Sequence, residues 1–243
     1  MSYVLIVGAK SDIAKAIARE YSKQGYNLYL AARNVNQLDS FAYDISIRTK
    51  KIVQIIELDI LNYDSHKHFY DSLKEKPLGV IIAVGYLGDQ EKAQNKFNEA
   101  KHIIDTNFTG IVSLLNIVTK DFEQRKKGFI VSISSVAGDR GRKSNYFYGS
   151  SKSALSTYLS GIRNRLHNAN VQVLTIKPGF VATKMTKKIN LPANLTATPE
   201  KVAKDVYFAQ SKGKNIIYSK WIWRWIMLII KIIPEWKFKR MNI

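Results

Sequence analysis

The sequence predicts an α/β fold: a doubly wound parallel sheet of about seven strands with helices on both faces. Short runs of strand-forming residues recur along the chain, separated by amphipathic stretches of helical length. The runs are apolar on both faces, which suits strands held between two helical layers rather than strands with one wet side. The 243 residues, 46% of them apolar, can bury one full core, and the right-handed crossover rule then winds helices onto each face of the sheet.

Strands are expected at residues 4–7, 28–31, 52–56, 80–84, 129–133, 171–176 and 216–218. Gly8 ends the first, and a helix follows through Ala14, Ile17, Ala18 and Tyr21. Between the sixth and seventh strands, residues from about 179 to 199 read as irregular, in the position where ligand-covering loops lie in such sheets. Neither a repeat of fixed period nor a low-complexity linker is evident.

There are no cysteines, which removes disulfides, thiolate catalysis and cysteine-bound metals. The four histidines (His66, His68, His102, His167) offer no zinc-ligand spacing beyond an isolated H-x-H. His66 and His68 lie in a polar stretch and read as surface residues, so no metal is expected. The opening Met1-Ser2-Tyr3 lacks the cationic start and cleavage site of a secretory signal, so a cytoplasmic location is expected. A formal net charge of +19 favours contact with something anionic: a phosphorylated cofactor, nucleic acid or the inner face of a membrane. No nucleic-acid reader motif accompanies the charge, and nucleic acid is not expected as a partner.

Gly8 and the following Ala9-Lys10-Ser11-Asp12-Ile13 make a tight turn into a helix N-terminus, which offers free N–H groups and a partial positive charge to a phosphate. Gly8 lets the backbone approach closely. Asp12 and Ala14 stand where further glycines are usual in a dinucleotide fingerprint, and Asp12 reads as the helix cap. After the second strand, Arg33 stands where NAD-binding chains tend to carry an acid. An acid there bonds the ribose 2′-hydroxyl, whereas Arg33, helped by Lys10, can pair with a 2′-phosphate, which favours NADP(H) over NAD(H). Asp59, after the third strand, reads either as an acceptor for the adenine amino group or as a turn residue.

The chemistry is expected between residues 128 and 154. Ser135 follows the fifth strand, at the end of a parallel sheet where ligands bind. Tyr148 and Lys152 are one helical turn apart and share a face. An ammonium close to a phenol stabilises the phenolate and lowers the tyrosine pKa toward the working pH, as acid/base catalysis needs. A serine thirteen residues before a Tyr-x-x-x-Lys, on the expected strand and in the expected order, is far more specific than either mark alone.

With these marks the chain resembles the short-chain dehydrogenase/reductase family over essentially its whole length. The matching segments are Val7-Gly8-Ala9, Leu58-Asp59-Ile60, Ala83-Val84-Gly85, Thr106-Asn107-Phe108, Ile133-Ser134-Ser135, Tyr148-Gly149-Ser150-Ser151-Lys152 and Pro178-Gly179-Phe180-Val181-Ala182-Thr183. The resemblance implies a Rossmann-type fold and hydride transfer between nicotinamide and a carbonyl or alcohol carbon. It implies that Tyr148 donates or accepts the proton and Ser135 binds the reacting oxygen. Lys152 would tune Tyr148 and grip the nicotinamide ribose, and Asn107 would hold a water in the proton relay. Pro178, Gly179, Val181 and Thr183 would border the nicotinamide, with Ile60, Ala83, Gly85 and Tyr148 also lining the cofactor site. The usual Asn-Asn-Ala-Gly after the fourth strand is here Ala83-Val84-Gly85, a departure that touches cofactor contacts rather than the reaction. The stretches Gly85-Tyr86-Leu87-Gly88-Asp89-Gln90 and Val136 to Tyr146 resemble the branch that includes the reductases of decaprenylphosphoryl-2-keto-ribose, a lipid-linked sugar. In that reading Arg140, Arg142 and Lys143 meet a sugar phosphate; otherwise they form a solvated basic loop.

Residues 1–218 are thus expected to be the dinucleotide-binding and catalytic domain, with residues 219–243 a C-terminal amphipathic helix and tail of the same domain. From Lys212 onward there are eight basic residues, one acid (Glu235) and all four tryptophans. Residues 221–233 are apolar apart from Arg224 and Lys231, a run shorter than the roughly twenty residues a spanning helix needs. On a helix Lys220, Arg224 and Lys231 form a narrow stripe opposite a broad apolar face. Two readings stand: a helix lying on a membrane surface through residues 219–240, or a helix buried against a second subunit or over the cleft, since a homo-oligomer is expected. Two function classes stand as well. One is an NADP(H)-dependent reductase of a small-molecule or lipid-linked ketone, which on the membrane-surface reading sits at the inner face of the cytoplasmic membrane. The other is a nucleotide-sensing regulatory protein on the same fold.

Overall fold

The structure, a computed structural model, describes residues 2–187 and 191–241. Seven strands form one sheet: β1 (Tyr3–Val7), β2 (Asn27–Ala32), β3 (Val53–Glu57), β4 (Gly79–Ile82), β5 (Gly128–Ile133), β6 (Val171–Pro178) and, last in the chain, β9 (Ile216–Ser219). Their order is β3-β2-β1-β4-β5-β6-β9 and every pairing is parallel. The order reverses between β1 and β4, so the crevice for a ligand opens at the C-terminal ends of those two strands. The expected Rossmann-type sheet is therefore present, with strand limits displaced by one or two residues. The segment after β6 is less irregular than its sequence suggests. It holds a two-stranded parallel pair, β7 (Phe180–Val181) and β8 (Thr196–Ala197), while residues 188–190 of that segment lie outside the described residues.

Alternation along β1 divides the core. Val4 and Ile6 pack against α1 (Asp12–Lys23) and α2 (Asp39–Thr49), with α8 (Pro199–Ser211) beside them. Leu5 and Val7 face the opposite layer, α3 (Ser65–Asp71), α6 (Gly110–Arg125) and α7 (Tyr146–Leu166). Between β4 and α6 run α4 (Gln90–Asn95) and α5 (Phe97–Ile104), and a π-helical turn, Asp105–Thr109, joins α5 to α6. After β9 come α9 (Ile222–Ile232) and the short α10 (Glu235–Phe238). Ser11 caps α1 by accepting from the Ala14 N–H, and Thr198 caps α8 with Pro199 in its first turn.

His66 is a correction to the sequence reading. It is buried, not at the surface, because it lies on the inner side of α3, where Nδ1 meets the Ser113 Oγ of α6 at 3.0 Å. His68 is exposed as expected, and the described residues contain no cluster fit to hold a metal.

Candidate active site

The end of β5 and the first turns of α7 are drawn together by glycine. A Cβ on Gly138 would lie 2.7 Å from the Ser153 nitrogen, and one on Gly149 would lie 2.8 Å from the Ala137 oxygen. Only chains without side chains there can cross so closely. Ser134 Oγ ties the same two elements, donating to the Lys152 carbonyl at 3.0 Å and meeting Ser156 Oγ at 2.7 Å.

This crossing brings Ser135, Tyr148 and Lys152 into one place. Ser135 Oγ accepts from the Ala137 N–H at 3.1 Å, which leaves its proton free, and the hydroxyl favours the ionised form of the facing Tyr148 phenol. Burial works in the other direction and prevails, pushing Tyr148 up to about 12. Lys152 is also buried, and loss of water pushes it down to about 7. Its ammonium donates to the carbonyls of Ile133 (3.1 Å) and Val84 (3.3 Å), 5.8 Å from the centre of the Tyr148 ring. The expected lowering of the tyrosine pKa by the lysine is thus not what the structure shows. Desolvation outweighs it, because the ammonium is engaged by backbone carbonyls rather than by the phenol.

Asn107, wholly buried in the π-turn, donates through Nδ2 to the carbonyls of Tyr86 (2.7 Å) and Ile103 (2.8 Å) and accepts from the Tyr86 N–H at 3.0 Å. Both amide protons are used by the protein, so the side chain clamps the Tyr86 peptide, and its Oδ1 has one lone pair left over. Local π-helical insertions often mark functional sites, and here the extra residue turns Asn107 inward. Gly85 is exposed at the centre. A Cβ there would be 3.7 Å from Asn107 Oδ1, 3.8 Å from Lys152 Nζ and 3.7 Å from the Met185 side chain.

Residues 2–194 match the family model described as short chain dehydrogenase. The chain belongs to the short-chain dehydrogenase/reductase family. It is 34% identical over 241 residues to an uncharacterised oxidoreductase of Mycobacterium tuberculosis, covering 98% of this chain and 96% of that one. A short-chain dehydrogenase from Sphingobium yanoikuyae in complex with NADPH superposes with a TM-score of 0.84 at 19% identity, covering 97% of each chain. A 3-oxoacyl-[acyl-carrier protein] reductase with bound NAD from Brucella melitensis superposes with a TM-score of 0.80 at 20% identity, covering 90% of each. The protein is therefore an NAD(P)-dependent oxidoreductase acting on a CH–OH/C=O pair, and these relatives do not favour the regulatory-sensor reading.

The crevice of this short-chain dehydrogenase/reductase fits a dinucleotide. Gly8 has a φ of +81°, and a Cβ would lie 2.9 Å from the backbone of Ala83 and Val84, so both its conformation and its space demand glycine. Ser11, Asp12 and Ile13 open α1 at this point, and Lys10 is half-exposed beside them. Arg33 is exposed beyond β2. Its turn is held by Glu57, whose two oxygens accept from the N–H groups of Asn34 (2.8 Å) and Val35 (3.2 Å). Asp59 uses Oδ1 to accept from the Leu61 N–H at 3.0 Å, which is turn work, with its second oxygen left over for another donor. Ile60 and Ala83 are buried, and the Ala83 carbonyl accepts a long 3.5 Å bond from Ser11 Oγ.

Three expectations change. Asp12 does not cap α1, because Ser11 already does; Asp12 Oδ2 accepts from the Lys184 N–H at 2.8 Å, tying the turn after β1 to the segment after β7. Gly179 has a role the motif did not suggest. A Cβ there would fall 1.9 Å from the Trp223 ring, so this glycine makes room for the C-terminal helix. Pro178 and Val181 are buried, and Thr183 caps the short turn Lys184–Thr186. Arg140 and Arg142 form neither a free anion site nor a solvated loop. Arg140 Nη1 donates to the carbonyls of Ile230 (2.5 Å) and Ile233 (2.6 Å), and Arg142 Nη2 reaches Met227 Sδ at 3.3 Å. Lys143 remains exposed.

Sequence reasoning also missed Asp139. Its carboxylate pairs with Lys177 Nζ at 2.5 Å and accepts from Tyr218 Oη at 2.7 Å, locking the loop after β5 to β6 and β9. Only the spatial neighbourhood of the three strand ends reveals it.

Proposed function

We propose that this enzyme is an NADP(H)-dependent reductase of a ketone that is apolar over part of its length and polar elsewhere, with Ser135, Tyr148, Lys152 and Asn107 as its working groups. The single observation that carries the chemistry is the convergence of the Ser135 hydroxyl, the Tyr148 phenol and the Lys152 ammonium beside exposed Gly85. When bound, the nicotinamide supplies the hydride. Gly8, Lys10, Ser11, Asp12, Ile13, Asp59, Ile60, Ala83, Gly85, Pro178, Gly179, Val181 and Thr183 would line its site, and Arg33 would meet the 2′-phosphate.

Ser135 holds the reacting oxygen next to Tyr148. A phenol pushed up to about 12 stays protonated throughout the neutral range and so can donate its proton to the reacting oxygen. Lys152, close to half-charged near neutrality, stabilises the phenolate left after proton transfer and takes its proton from solvent through the Asn107 end of the site. For the substrate, Val136, next to Ser135 in the chain, and Phe180 would supply an apolar wall backed by Trp223. At the start of α7, where the Phe147 N–H donates to Gln90 Oε1 at 3.4 Å, exposed Lys143 and half-buried Arg142 and Asn145 supply donors and acceptors that suit a hydroxylated or otherwise polar portion. A lipid-linked sugar ketone has this character.

The test is NADPH consumption, followed by absorbance, with ketones that share one carbonyl and differ in chain length and hydroxylation. Amphipathic members are expected to have the highest kcat/KM, by at least about tenfold over small unsubstituted ketones, the effect of burying a few methylenes. Equal turnover of all members would refute the substrate class.

A further inference from the structure

We infer that α9 is two-sided: its inner face roofs the cleft mouth, and its outer face seats the enzyme on an anionic lipid bilayer. The second half of this inference rests on the amphipathic-substrate reading only for its purpose, since lipid binding is measurable without any substrate.

The inner face is fixed. Trp223 and Met227 are buried, and with Ile226 and Ile230 they pack on Val136, the residue after Ser135, on Phe180 of β7 and on Leu195 just before β8. Trp223 Nε1 donates to the Leu195 carbonyl at 3.0 Å. Arg140 holds the far end. Besides the carbonyls of Ile230, Lys231 and Ile233 at the end of α9, it pairs with Glu235 at 2.9 Å and stacks 3.7 Å from the Phe238 ring centre. A cation on the last carbonyls of a helix satisfies free acceptors and complements the helix dipole. Held at both ends, α9 cannot roll its other face inward.

That other face is apolar and uncovered. Trp221 is 73% exposed, Trp225 54%, Ile229 60%, Ile232 72% and Trp236 64%. At 100° per residue Trp221, Trp225, Leu228 and Ile232 share one stripe with Ile229 alongside. The cations do not lie opposite the whole apolar surface, as the sequence alone suggested. Half of that surface is spent on the protein body, and Lys220, Arg224 and Lys231 run along the border between the two halves.

Charge decides the occupant. From Lys212 onward there are eight basic residues against Glu235, and Glu235 is paired with Arg140. Indole rings at headgroup depth, aliphatic side chains below them and ammonium and guanidinium groups at the phosphates describe an interfacial helix on an anionic membrane. A second copy joined across a two-fold axis by this face would bring both cationic borders together with no acid on the face to pair them. α9 has 11 residues, and no described helix is long and apolar enough to cross a membrane, so the helix would lie on the surface.

The experiment is sedimentation of the full chain with phosphatidylcholine vesicles and with mixed phosphatidylcholine–phosphatidylglycerol vesicles, at low and high salt. It is repeated with Trp221→Ser/Trp225→Ser/Ile229→Ser, whose unfolding temperature checks the fold. The wild type is expected to pellet with the mixed vesicles, at least about tenfold better than with the neutral ones and less at high salt. The triple variant is expected to lose at least about tenfold of that binding while unfolding at the same temperature. Equal pelleting of variant and wild type, or no pelleting of the wild type, overturns the inference. So does a wild-type dimer that the triple variant dissolves, which would give the face to a second copy. Failure of every ketone tested for turnover would sink the substrate reading and leave this result standing.

Discussion

Replacing Lys152 by methionine should stabilise the protein while abolishing its chemistry, and the two effects can be sized separately. The lysine is buried, and its pKa falls from 10.5 to about 7. At about 1.4 kcal/mol per pH unit of separation, holding it charged costs roughly 5 kcal/mol of folding stability at low pH. Methionine removes that cost but leaves the carbonyls of Val84 and Ile133 without a donor, an offset of about 1 kcal/mol each. The net gain is about 3 kcal/mol, or on the order of 6–12 °C in Tm for a chain of this size. The sign with pH follows from proton counting. Below pH 7 both folded and unfolded wild type carry the proton, and the penalty is complete. Between about 7 and 10.5 only the unfolded chain keeps it, so wild-type stability rises with pH and the advantage of the variant shrinks. Urea unfolding at pH 6 and pH 9 reads both quantities. A variant no more stable than wild type at pH 6, or a difference unchanged at pH 9, would refute the claim that burial governs this lysine.

Three further outcomes are expected. Arg33→Ala should raise KM for NADPH by about 10–100-fold and leave KM for NADH within about twofold, because a charge-assisted contact to phosphate is worth about 1.5–3 kcal/mol; equal effects on both cofactors would remove Arg33 from 2′-phosphate recognition. Gly179→Ala should destabilise the protein by about 1–3 kcal/mol in denaturant unfolding and expose Trp223, seen as a red shift in fluorescence, since the added methyl would occupy indole space. Ketone reduction should fall as pH rises from 7 to 9, because Tyr148 stays protonated throughout that range while Lys152, at about 7, loses the charge that stabilises the phenolate left behind; a reduction rate that is flat or rises across that range would contradict the assignment.

Much of the fold is legible because a buried parallel sheet leaves a strong signal: β1, β2 and β4 are apolar at nearly every position, whichever face is considered. β7 and β8 were invisible for the same reason in reverse, since two-residue strands are too short to show any period. The site was legible where local spacing sets it, as with Tyr148 and Lys152 on one helix face. It was not legible where burial decides. Sequence spacing places a cation beside a phenol, but only coordinates show the ammonium donating to Ile133 and Val84 and the phenol pushed up rather than down. Partners distant in sequence were hidden too. Asp12 meets Lys184, and Arg140 meets Ile230 and Glu235, pairings that no local pattern encodes. The tail shows the intermediate case. Its amphipathic period was plain, yet the number of apolar faces it presents depends on Gly179 and Val136 lying beneath it.

The most direct measurement of the chemistry is deuterium transfer from nicotinamide-labelled NADPH to the carbinol carbon of the product, read by mass spectrometry for wild type and Tyr148→Phe. The wild type should deliver one deuterium per turnover to that carbon. The variant should bind NADPH with unchanged affinity and form product at least about 100-fold more slowly, the usual worth of a positioned general acid. Labelled product appearing at the wild-type rate in the variant would contradict the assignment of the proton to Tyr148.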